Sequence, residues 1–484
     1  MKTNISRILL FMPPAVTSST LIDINPAPPL GLGYIAAVLE SMGIEVKIVD
    51  CLLEGWNIRV PISRDSIRIG LSESQISDII RDFNPDVVSV NSQFTRQYKN
   101  AHDIYRITKA IDPEIITIGG GAHPSVLPAF AMEDPHLDFV IIGEGEDAIR
   151  ELVSAITTAP ESISSIDGVG YRSGGIVHIN QKTHFIENLD LIPSPAWHLM
   201  NVEHYFGLDV CHGKRDCTRF FSIITSRGCP AKCVFCTAYN VWGKRYRARS
   251  VQNVVDEIKF LKQHYAIEEL LVEDDNFTFD VERAEQICDR IIEEKLNLKF
   301  DTPNGIAAYK LTPALLLKMK QAGFVRINLA IESGNQEALL RLIKKPLRLE
   351  KVQEIVAYCR TIDLEVGSFF IIGIPGMTLS QMWDNYRFCR KLKIFSPFIS
   401  VATPYPGSDL YKICKDKKYL SPDFNLEDLY IRKFSITTEL WGGLSLQLLM
   451  TTGYFYLKFF QALDNPVSFS KLLRDYIMEK WENK

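Results

Sequence analysis

The sequence predicts an α/β protein with two successive regions of parallel strands and a helical C-terminal tail. Before residue 150, five short apolar runs alternate with longer amphipathic segments, and after residue 220 the alternation repeats six times. Such alternation predicts parallel strands covered by helices. We therefore predict an N-terminal Rossmann-like or flavodoxin-like doubly wound parallel sheet, followed by a partial, TIM-like (β/α)6 barrel with too few units to close as an eightfold barrel.

In the first region, the strand candidates are residues 8–11, 46–49, 86–90, 115–118 and 139–142, and the helix candidates are 32–42, 73–83 and 100–110. Ligands of such sheets bind beyond the carboxyl ends of the strands. Those ends here carry Pro28 to Gly31, Asn91 to Gln93, Gly119 to Gly121 and Gly143 to Glu146. Glycine there lets a bulky ligand approach the backbone closely, although glycine in a βα turn is also ordinary turn chemistry.

We predict that residues 151–215 connect the two regions. Alternating residues around Gly174 and Gly175 predict a small hairpin over 168–179. Pro193 and Pro195 then indicate an extended linker.

In the second region, the strand candidates are 221–225, 268–273, 299–302, 326–331, 366–372 and 399–403, and the helix candidates are 251–264, 281–294, 312–322, 335–343, 349–361 and 379–392. Polar or glycine-rich stretches follow several of the strands, including Glu273 to Phe277, Glu332 to Gly334 and Gly373 to Gly376. Each of them has helix capping or turn formation as its alternative. Several around the same edge favour a shared ligand.

Three cysteines, Cys229, Cys233 and Cys236, have the spacing C-x3-C-x2-C directly after the first strand of the second region. Closely spaced thiolates in one loop are typical of iron–sulfur ligands. Three thiolates leave one iron of a four-iron cluster open to a non-protein ligand. A structural zinc site is the alternative, but it normally closes with four ligands, and no second C-x2-C pair follows.

The whole-chain composition limits the partners and the compartment. The 484 residues carry a formal net charge of −4, and with no basic excess nothing favours nucleic acid as a partner. The N-terminus shows no signal-peptide core, and the ten cysteines are scattered through a long chain. Reduced thiols, and hence the cytoplasm, are the expectation.

The residues from Thr225 to Cys236 resemble the signature of the radical S-adenosylmethionine (SAM) superfamily, including Phe235 before the third cysteine. The resemblance implies a [4Fe-4S] cluster whose open iron binds SAM and cleaves it to a 5′-deoxyadenosyl radical. It also implies roles for the strand ends. Asp274 or Asp275 would meet the SAM amino group, Glu332 and Ser333 the ribose, and Gly373 to Pro375 the adenine. Arg247 and Arg249 either neutralise the cluster or the SAM carboxylate, or belong to a solvated basic loop.

The strand ends of the first region resemble the cobalamin-binding domain that precedes some radical SAM modules. The resemblance rests on Met12 to Pro14, Pro28 to Tyr34, Gly119 to Pro124 and Gly143 to Glu146. The implied cobalamin contacts are Pro29, Leu30, Gly31, Ser92, Gln93, Gly119, Gly120, Gly121, Gly143, Glu144 and Gly145. None of the nine histidines fits the cobalt-ligating motif D-x-H-x-x-G, so His123 is expected to line the corrinoid pocket without binding cobalt.

The combined resemblance implies a methyltransferase that acts on an unactivated carbon, or on phosphorus, of a small molecule. Oxidative cyclisation or ring rearrangement is the alternative reaction, and a non-catalytic corrinoid or redox sensor is the alternative class. A flavodoxin or ferredoxin would supply the electron. The predicted domains are residues 1–160, 161–215, 216–420 and 421–484. In the aromatic tail we expect a helix packed over the barrel mouth, or, if the substrate is lipid-like, an interfacial helix.

Overall fold

The computed structural model describes residues 4–19, 24–208, 217–430 and 433–464. It divides the chain into two compact units. Unit 1 contains Met1–Pro230 and Thr237–Asp275, and unit 2 contains Ala231–Cys236 and Asn276–Lys484. The boundary therefore passes through the cysteine motif. The predicted domain boundaries at 160, 215 and 420 stay predictions.

Unit 1 is built on a large sheet with helices packed against it. The strands of its N-terminal part are β1 (Arg7–Met12), β2 (Ala15–Ser18), β3 (Glu45–Asp50), β4 (Arg59–Pro61), β5 (Ser66–Ile69), β6 (Val87–Asn91), β7 (Ile116–Gly120), β8 (Phe139–Ile141), β9 (Val169–Ser173) and β10 (Ile176–Ile179). The helices are α1 (Leu30–Ser41), α2 (Cys51–Glu54), α3 (Glu73–Phe83), α4 (Tyr98–Ile111), α5 (Ala122–Val126), α6 (Pro128–Ala131), α7 (Glu146–Thr158) and α8 (Val202–Phe206).

The large sheet has the order β10-β9-β8-β7-β6-β1-β3. Strands β3, β1, β6, β7 and β8 are parallel, and taken in that order they follow the flavodoxin-like sequence 2-1-3-4-5. The run Ile8–Phe11 in β1 is fully buried, as expected for a central strand covered on both faces. The strand order reverses between β1 and β6, and this is the switch point at which such sheets bind ligands.

Two features of this part differ from the sequence prediction. The hairpin of β9 and β10 is not a separate connector, because β9 pairs antiparallel with β8 and so extends the main sheet. A small antiparallel sheet, β2-β5-β4, was also missed. Both rest on pairing between segments distant in sequence, which local periodicity does not report.

The rest of unit 1 leads into and out of the cysteine motif. It contains β11 (Phe220–Ile223), β12 (Ser226–Arg227), β13 (Arg247–Ala248) and β14 (Glu269–Val272), with α9 (Tyr239–Trp242) and α10 (Val251–Tyr265). Strands β11 and β14 are parallel, whereas β12 and β13 form a short antiparallel pair. Ser250 caps α10 by accepting a hydrogen bond from the Asn253 amide, which ends the loop after β13.

Unit 2 continues the strand–helix alternation. Its strands are β15 (Lys299–Asp301), β16 (Arg326–Glu332), β17 (Glu365–Ile372) and β18 (Phe398–Val401), and its helices are α11 (Val281–Glu293), α12 (Pro313–Ala322), α13 (Leu349–Thr361), α14 (Leu379–Lys391), α15 (Asp409–Asp416) and α16 (Gly443–Asp464). Strands β16, β17 and β18 are parallel. Each of the six predicted strands of the second region is present. The helix predicted over 335–343 contains a π-helix, Ala338–Ile343.

Helix α16 packs along α14. A side chain at Gly453 would meet the ring of Tyr386 at 2.2 Å, so glycine allows the close approach of the two helices. The first turn of α16 lies beside the turn after β17, because a Cβ at Gly373 would come within 3.1 Å of Leu446. The tail is therefore helical and packed, as predicted, and it runs along α14. The predicted position over the barrel mouth stays a prediction. Within the described ranges, no helix has both the length and the apolar composition needed to cross a membrane.

Candidate functional site

The cysteine loop leaves unit 1 through a glycine that the local backbone requires. Gly228 follows β12 with φ +82°, and a Cβ there would meet the carbonyl oxygen of Arg245 at 2.3 Å. Its amide donates a 3.1 Å hydrogen bond to Oδ2 of Asp275. Position 228 therefore sets the direction in which the chain enters Cys229.

In unit 2, backbone hydrogen bonds hold the remainder of the loop. The amide of buried Val234 donates to the carbonyl of Ile343 at the end of the π-helix, and its carbonyl accepts from the amide of Leu410 in α15, at 3.0 and 2.8 Å. The Cys236 amide donates to the carbonyl of Cys233, which places these cysteines on one tight turn. The anchors at Ile343 and Leu410 come from distant parts of the chain and have no signature in the motif.

The donor set fits an iron–sulfur cluster. Cys229, Cys233 and Cys236 are all partly exposed, and none of the three forms a disulfide. Among the described residues, no three His, Cys, Asp or Glu side chains form a group that could hold a single metal ion. A four-iron cluster does not require its ligands to meet at one metal ion, because each thiolate binds its own iron atom. Phe235 is also partly exposed and lies between the last two cysteines.

The structure distinguishes the two aspartates after β14. Both oxygens of buried Asp274 are engaged, with Thr225 through its amide and hydroxyl and with the Ser226 hydroxyl, at 2.5–2.6 Å. Asp275 accepts the Gly228 amide instead, and burial raises the pKa of its carboxyl to about 6. Asp274 thus holds the strand that precedes the motif, while Asp275 lies at the entrance to Cys229.

Glu332 has a strained backbone and a buried partner. Its φ is +71°, and the register of β16 against β17 shifts between Ala330 and Glu332. Such strain in a non-glycine residue is typical of functional positions. The Glu332 carboxylate accepts a 3.0 Å hydrogen bond from Lys345, whose side chain is 8% exposed. Sequence analysis missed Lys345, because it lies 13 residues away, after the π-helix.

Two other predicted SAM contacts take part in packing. Ser333 is fully buried, accepts the Asn335 amide and contacts Asn385. Gly373 has φ +81°, and the nearby Trp441 donates from its indole to the carbonyl of Met377, four residues further along the same turn region. Pro375 is partly exposed in this turn. The beginning of the tail therefore supports the turn after β17.

The strand ends of the large sheet in unit 1 offer backbone and space. The positions at which Gly31 and Gly120 would carry a Cβ have no atom within 4 Å. Gly121, at φ +100°, has no such room, because a Cβ would meet Oδ1 of Asn91 at 2.4 Å. Other predicted cobalamin contacts also contribute backbone to this rim. They are Pro29, Leu30, Gly119, Gly143 and Gly145, and the nearby Gln93 is exposed.

Two buried polar atoms at the same rim have no hydrogen-bond partner, the hydroxyl of Ser92 and Nε2 of His123. Such atoms are rare in folded proteins and fit a site that a ligand completes. His123 itself is only 1% exposed, contacts Thr95 through Nδ1, and lies against the rings of Tyr98 and Phe130. Burial lowers the pKa of its imidazole to about 4, with a smaller contribution from His102.

Two charged residues are placed differently from the sequence expectation. Arg247 and Arg249 are buried, so the solvated basic loop is wrong. Arg247 binds Glu144 at 2.8 Å, and Arg249 binds Glu257. Glu144 is also buried, and its carboxylate is bound by Arg227 and Arg247 of the same unit. A contact between Glu144 and a cofactor stays a prediction.

Comparison with known families agrees with this geometry. Residues 25–153 match the model of the B12 binding domain, and residues 223–389 match the model of the radical SAM superfamily. The chain is 35% identical over 446 residues to cytidylyl-2-hydroxyethylphosphonate methyltransferase of Streptomyces wedmorensis, covering 86% of this chain and 83% of that protein. It is 26% identical over 395 residues to the anaerobic magnesium-protoporphyrin IX monomethyl ester cyclase of Rubrivivax gelatinosus, covering 81% of this chain and 67% of that protein.

Among solved structures, the chain resembles OxsB, described as a cobalamin-dependent SAM radical enzyme with aqua-cobalamin and SAM bound. The TM-score is 0.71 at 15% identity, covering 99% of this chain and 76% of that one. This likeness confirms the predicted fold class. The family matches confirm the predicted cofactor set of a [4Fe-4S] cluster, SAM and cobalamin. The chain belongs to the radical SAM superfamily of enzymes, in the class that carries a B12-binding domain ahead of the radical SAM domain.

Proposed function

We propose that this enzyme is a methyltransferase that modifies an unactivated carbon, or phosphorus, of a small-molecule biosynthetic intermediate. The best support is the 35% identity, over most of both chains, to a methyltransferase named for a cytidylyl phosphonate. When bound, the cluster, SAM and cobalamin would supply a 5′-deoxyadenosyl radical and a transferable methyl group.

We assign the cluster to Cys229, Cys233 and Cys236. Asp275 then serves the SAM amino group better than Asp274, because both oxygens of Asp274 already accept hydrogen bonds from Thr225 and Ser226. Asp275, one residue further along, is largely buried but keeps some exposure, and its carboxylate could meet a ligand that arrives beside Gly228.

Glu332 and Lys345 form the second polar element of the proposed SAM site. The carboxylate would accept hydrogen bonds from the ribose, and the ammonium of Lys345 holds that carboxylate in place. The turn from Gly373 to Pro375 would contact the adenine through its backbone. Ser333 would stabilise the backbone next to Glu332 through its contact with Asn385.

Cobalamin would bind along the strand ends of the unit 1 sheet. Gly31 and Gly120 leave room for a bulky macrocycle, and Ser92 would donate a hydrogen bond that it lacks in the free protein. His123 would line this pocket as a neutral imidazole. Because the ring is buried and packs against Tyr98 and Phe130, we expect it to stay away from cobalt.

The electron would come from a flavodoxin or a ferredoxin in the cytoplasm. The nine cysteines that the structure describes form no disulfides, which agrees with a reducing compartment.

The test uses anaerobically reconstituted protein with trideuteromethyl SAM and cytidylyl-2-hydroxyethylphosphonate as the probe substrate. We expect 5′-deoxyadenosine to form with or without probe. When a deuterated methyl group appears on a substrate, S-adenosylhomocysteine should accumulate in an amount equal to the methylated product. Absence of 5′-deoxyadenosine under all conditions would contradict the enzyme class. Deuterium in the probe would identify a phosphonate substrate.

An oxidative cyclase is the second candidate, supported by the 26% identity to the protoporphyrin ester cyclase over 81% of this chain. A cyclase would consume SAM to 5′-deoxyadenosine without forming S-adenosylhomocysteine. The ratio of the two SAM products on the true substrate therefore separates the two reactions.

A further inference from the structure

Four buried charged side chains in unit 1 form one connected network, which we call the rim network: Glu144, Glu146, Arg227 and Arg247. Arg227 donates from Nη1 to Glu144 at 3.1 Å and from Nη2 to Glu146 at 2.6 Å. Arg247 donates from Nη1 to both oxygens of Glu144 at 2.8 Å. The second Glu144 oxygen also accepts the amide of Ile186 at 2.9 Å.

The network is buried and carries no net charge. Its four residues are between 2% and 5% exposed, with two positive and two negative charges. The guanidinium of Arg227 lies between two aromatic rings, 4.8 Å from Trp242 and 5.3 Å from Tyr34. Burial alone would raise the pKa of Glu146, but Arg227 beside it holds that pKa below its usual value. Both arginines are therefore committed to carboxylates of the same unit.

The network joins two places that the proposed function uses. Glu144 lies in the turn after β8, and Glu146 is the first residue of α7, at the rim where cobalamin would bind. Arg227 is the last residue of β12, two positions before Cys229, and it pairs across β12 and β13 with Arg247. The segment between β8 and α7 at the sheet rim is thus tied directly to the strand that enters the cysteine loop.

We propose that the rim network is a positioning device that fixes the first cysteine of the cluster loop relative to the cobalamin rim. This inference rests on the proposed function. Geometry matters here because a displacement of 1 Å far from the chemistry can lower a rate by about 100-fold. The four residues act through β12 and the turn after β8.

Stability alone is a poor explanation of the network. Replacing a buried ion pair by apolar residues of similar size is often neutral or stabilising, because the charges lose their hydration when they are buried. Four buried charges are better explained by directional hydrogen bonds, since the planar guanidinium of Arg227 sets the relative orientation of two carboxylates at once.

The test compares the double variant Arg227→Met/Glu146→Leu with the control Arg245→Met/Glu187→Leu. The first removes one complete ion pair, while Glu144 keeps Arg247 and Ile186 as partners. The control removes a solvent-exposed pair of the same unit, 2.8 Å apart and 75% and 64% exposed. Arg227→Lys is added because it keeps the charge but loses the fork that reaches both carboxylates.

The measurements are iron and cobalamin content, the urea unfolding midpoint, and the electron paramagnetic resonance spectrum of protein that holds both cob(II)alamin and the reduced cluster. The magnetic interaction between the two centres reports their distance and orientation. We expect wild-type cofactor content in all variants, a shifted interaction in the Arg227 variants, and a wild-type spectrum in the control.

An interaction identical to that of the wild type in both Arg227 variants would overturn the positioning role and leave the proposed function standing. The positioning role would also be overturned if the wild-type spectrum were the simple sum of the cob(II)alamin and cluster signals, with no magnetic interaction between them. A wild-type protein that takes up no cobalamin would overturn the proposed function and this inference with it.

Discussion

The two units differ in the groups that they present at the ends of their strands. In unit 1, the available features are glycine backbone, open space at Gly31 and Gly120, and the orphaned hydroxyl of Ser92. In unit 2, the prominent features are polar side chains already held by partners, such as Glu332 by Lys345. A bulky macrocycle needs room and backbone contact, whereas a small zwitterion such as SAM needs charged groups in fixed positions.

We expect the strongest loss of function when the three cysteines of the motif are replaced, since this change tests whether their thiolates bind the cluster. Replacing Cys229, Cys233 and Cys236 with alanine should abolish the visible absorption of the cluster and 5′-deoxyadenosine formation together, because no ligand would remain for three of the four irons. Cys217→Ala, a cysteine outside the motif, serves as the control and should keep both signals. Full iron loading of the triple variant would place the ligands elsewhere.

The next effect separates a ligand-binding side chain from a supporting one in unit 2. Glu332→Ala should weaken SAM binding by about 1–3 kcal/mol, roughly 5- to 150-fold in Kd, because a buried hydrogen bond is lost. Ser333→Ala should lower the urea midpoint instead, since the fully buried Ser333 hydroxyl accepts the Asn335 amide and contacts Asn385. Unchanged SAM affinity in Glu332→Ala, measured by calorimetry, would contradict the proposed site.

A pair of glycine substitutions tests the contribution of open space in unit 1. Gly120→Ala adds a methyl group where the free protein has room, so stability should stay the same while cobalamin affinity falls. Gly121→Ala should destabilise the protein by roughly 1–3 kcal/mol, because φ is +100° and the added Cβ meets Asn91. Equal cobalamin affinity in wild type and Gly120→Ala would place the macrocycle elsewhere.

The smallest effect concerns His123, the buried group at the unit 1 rim. Its folded pKa of about 4 lies below the ordinary value, so the unfolded state binds more protons between about pH 6.5 and 4, and stability falls as the pH falls through this range. Because of this histidine, the free energy of unfolding should be about 2 kcal/mol lower at pH 5 than at pH 7.

Urea unfolding of wild type and His123→Gln at both pH values measures this contribution, and the variant should lose less stability on acidification. An equal loss in both proteins would contradict the assignment of a neutral, buried imidazole. Cob(II)alamin bound to wild type should also show no nitrogen superhyperfine splitting from imidazole, as expected if His123 stays away from cobalt.

The local elements could be predicted from the amino-acid sequence, because helix and strand periodicity, capping residues and the cysteine spacing are all properties of short windows. Helix α3 was predicted at its observed bounds, and Ser72 and Gln75 form the capping box that starts it. The eleven predicted strands of the two regions are all present within a few residues. The cluster motif was likewise visible, since its thiols lie within eight residues.

Which side chains come into contact could not be predicted in this way, because it depends on the complete fold. Asp274 and Asp275 are neighbours with the same chemistry, and only the positions of Thr225 and Gly228 separate their roles. The pairing of Glu144 with Arg227 and Arg247 spans 83 and 103 residues, and that of Glu332 with Lys345 spans a π-helix. The physical reason is that a charge acts on whatever the fold brings within a few ångströms, and no local pattern of residues records that distance.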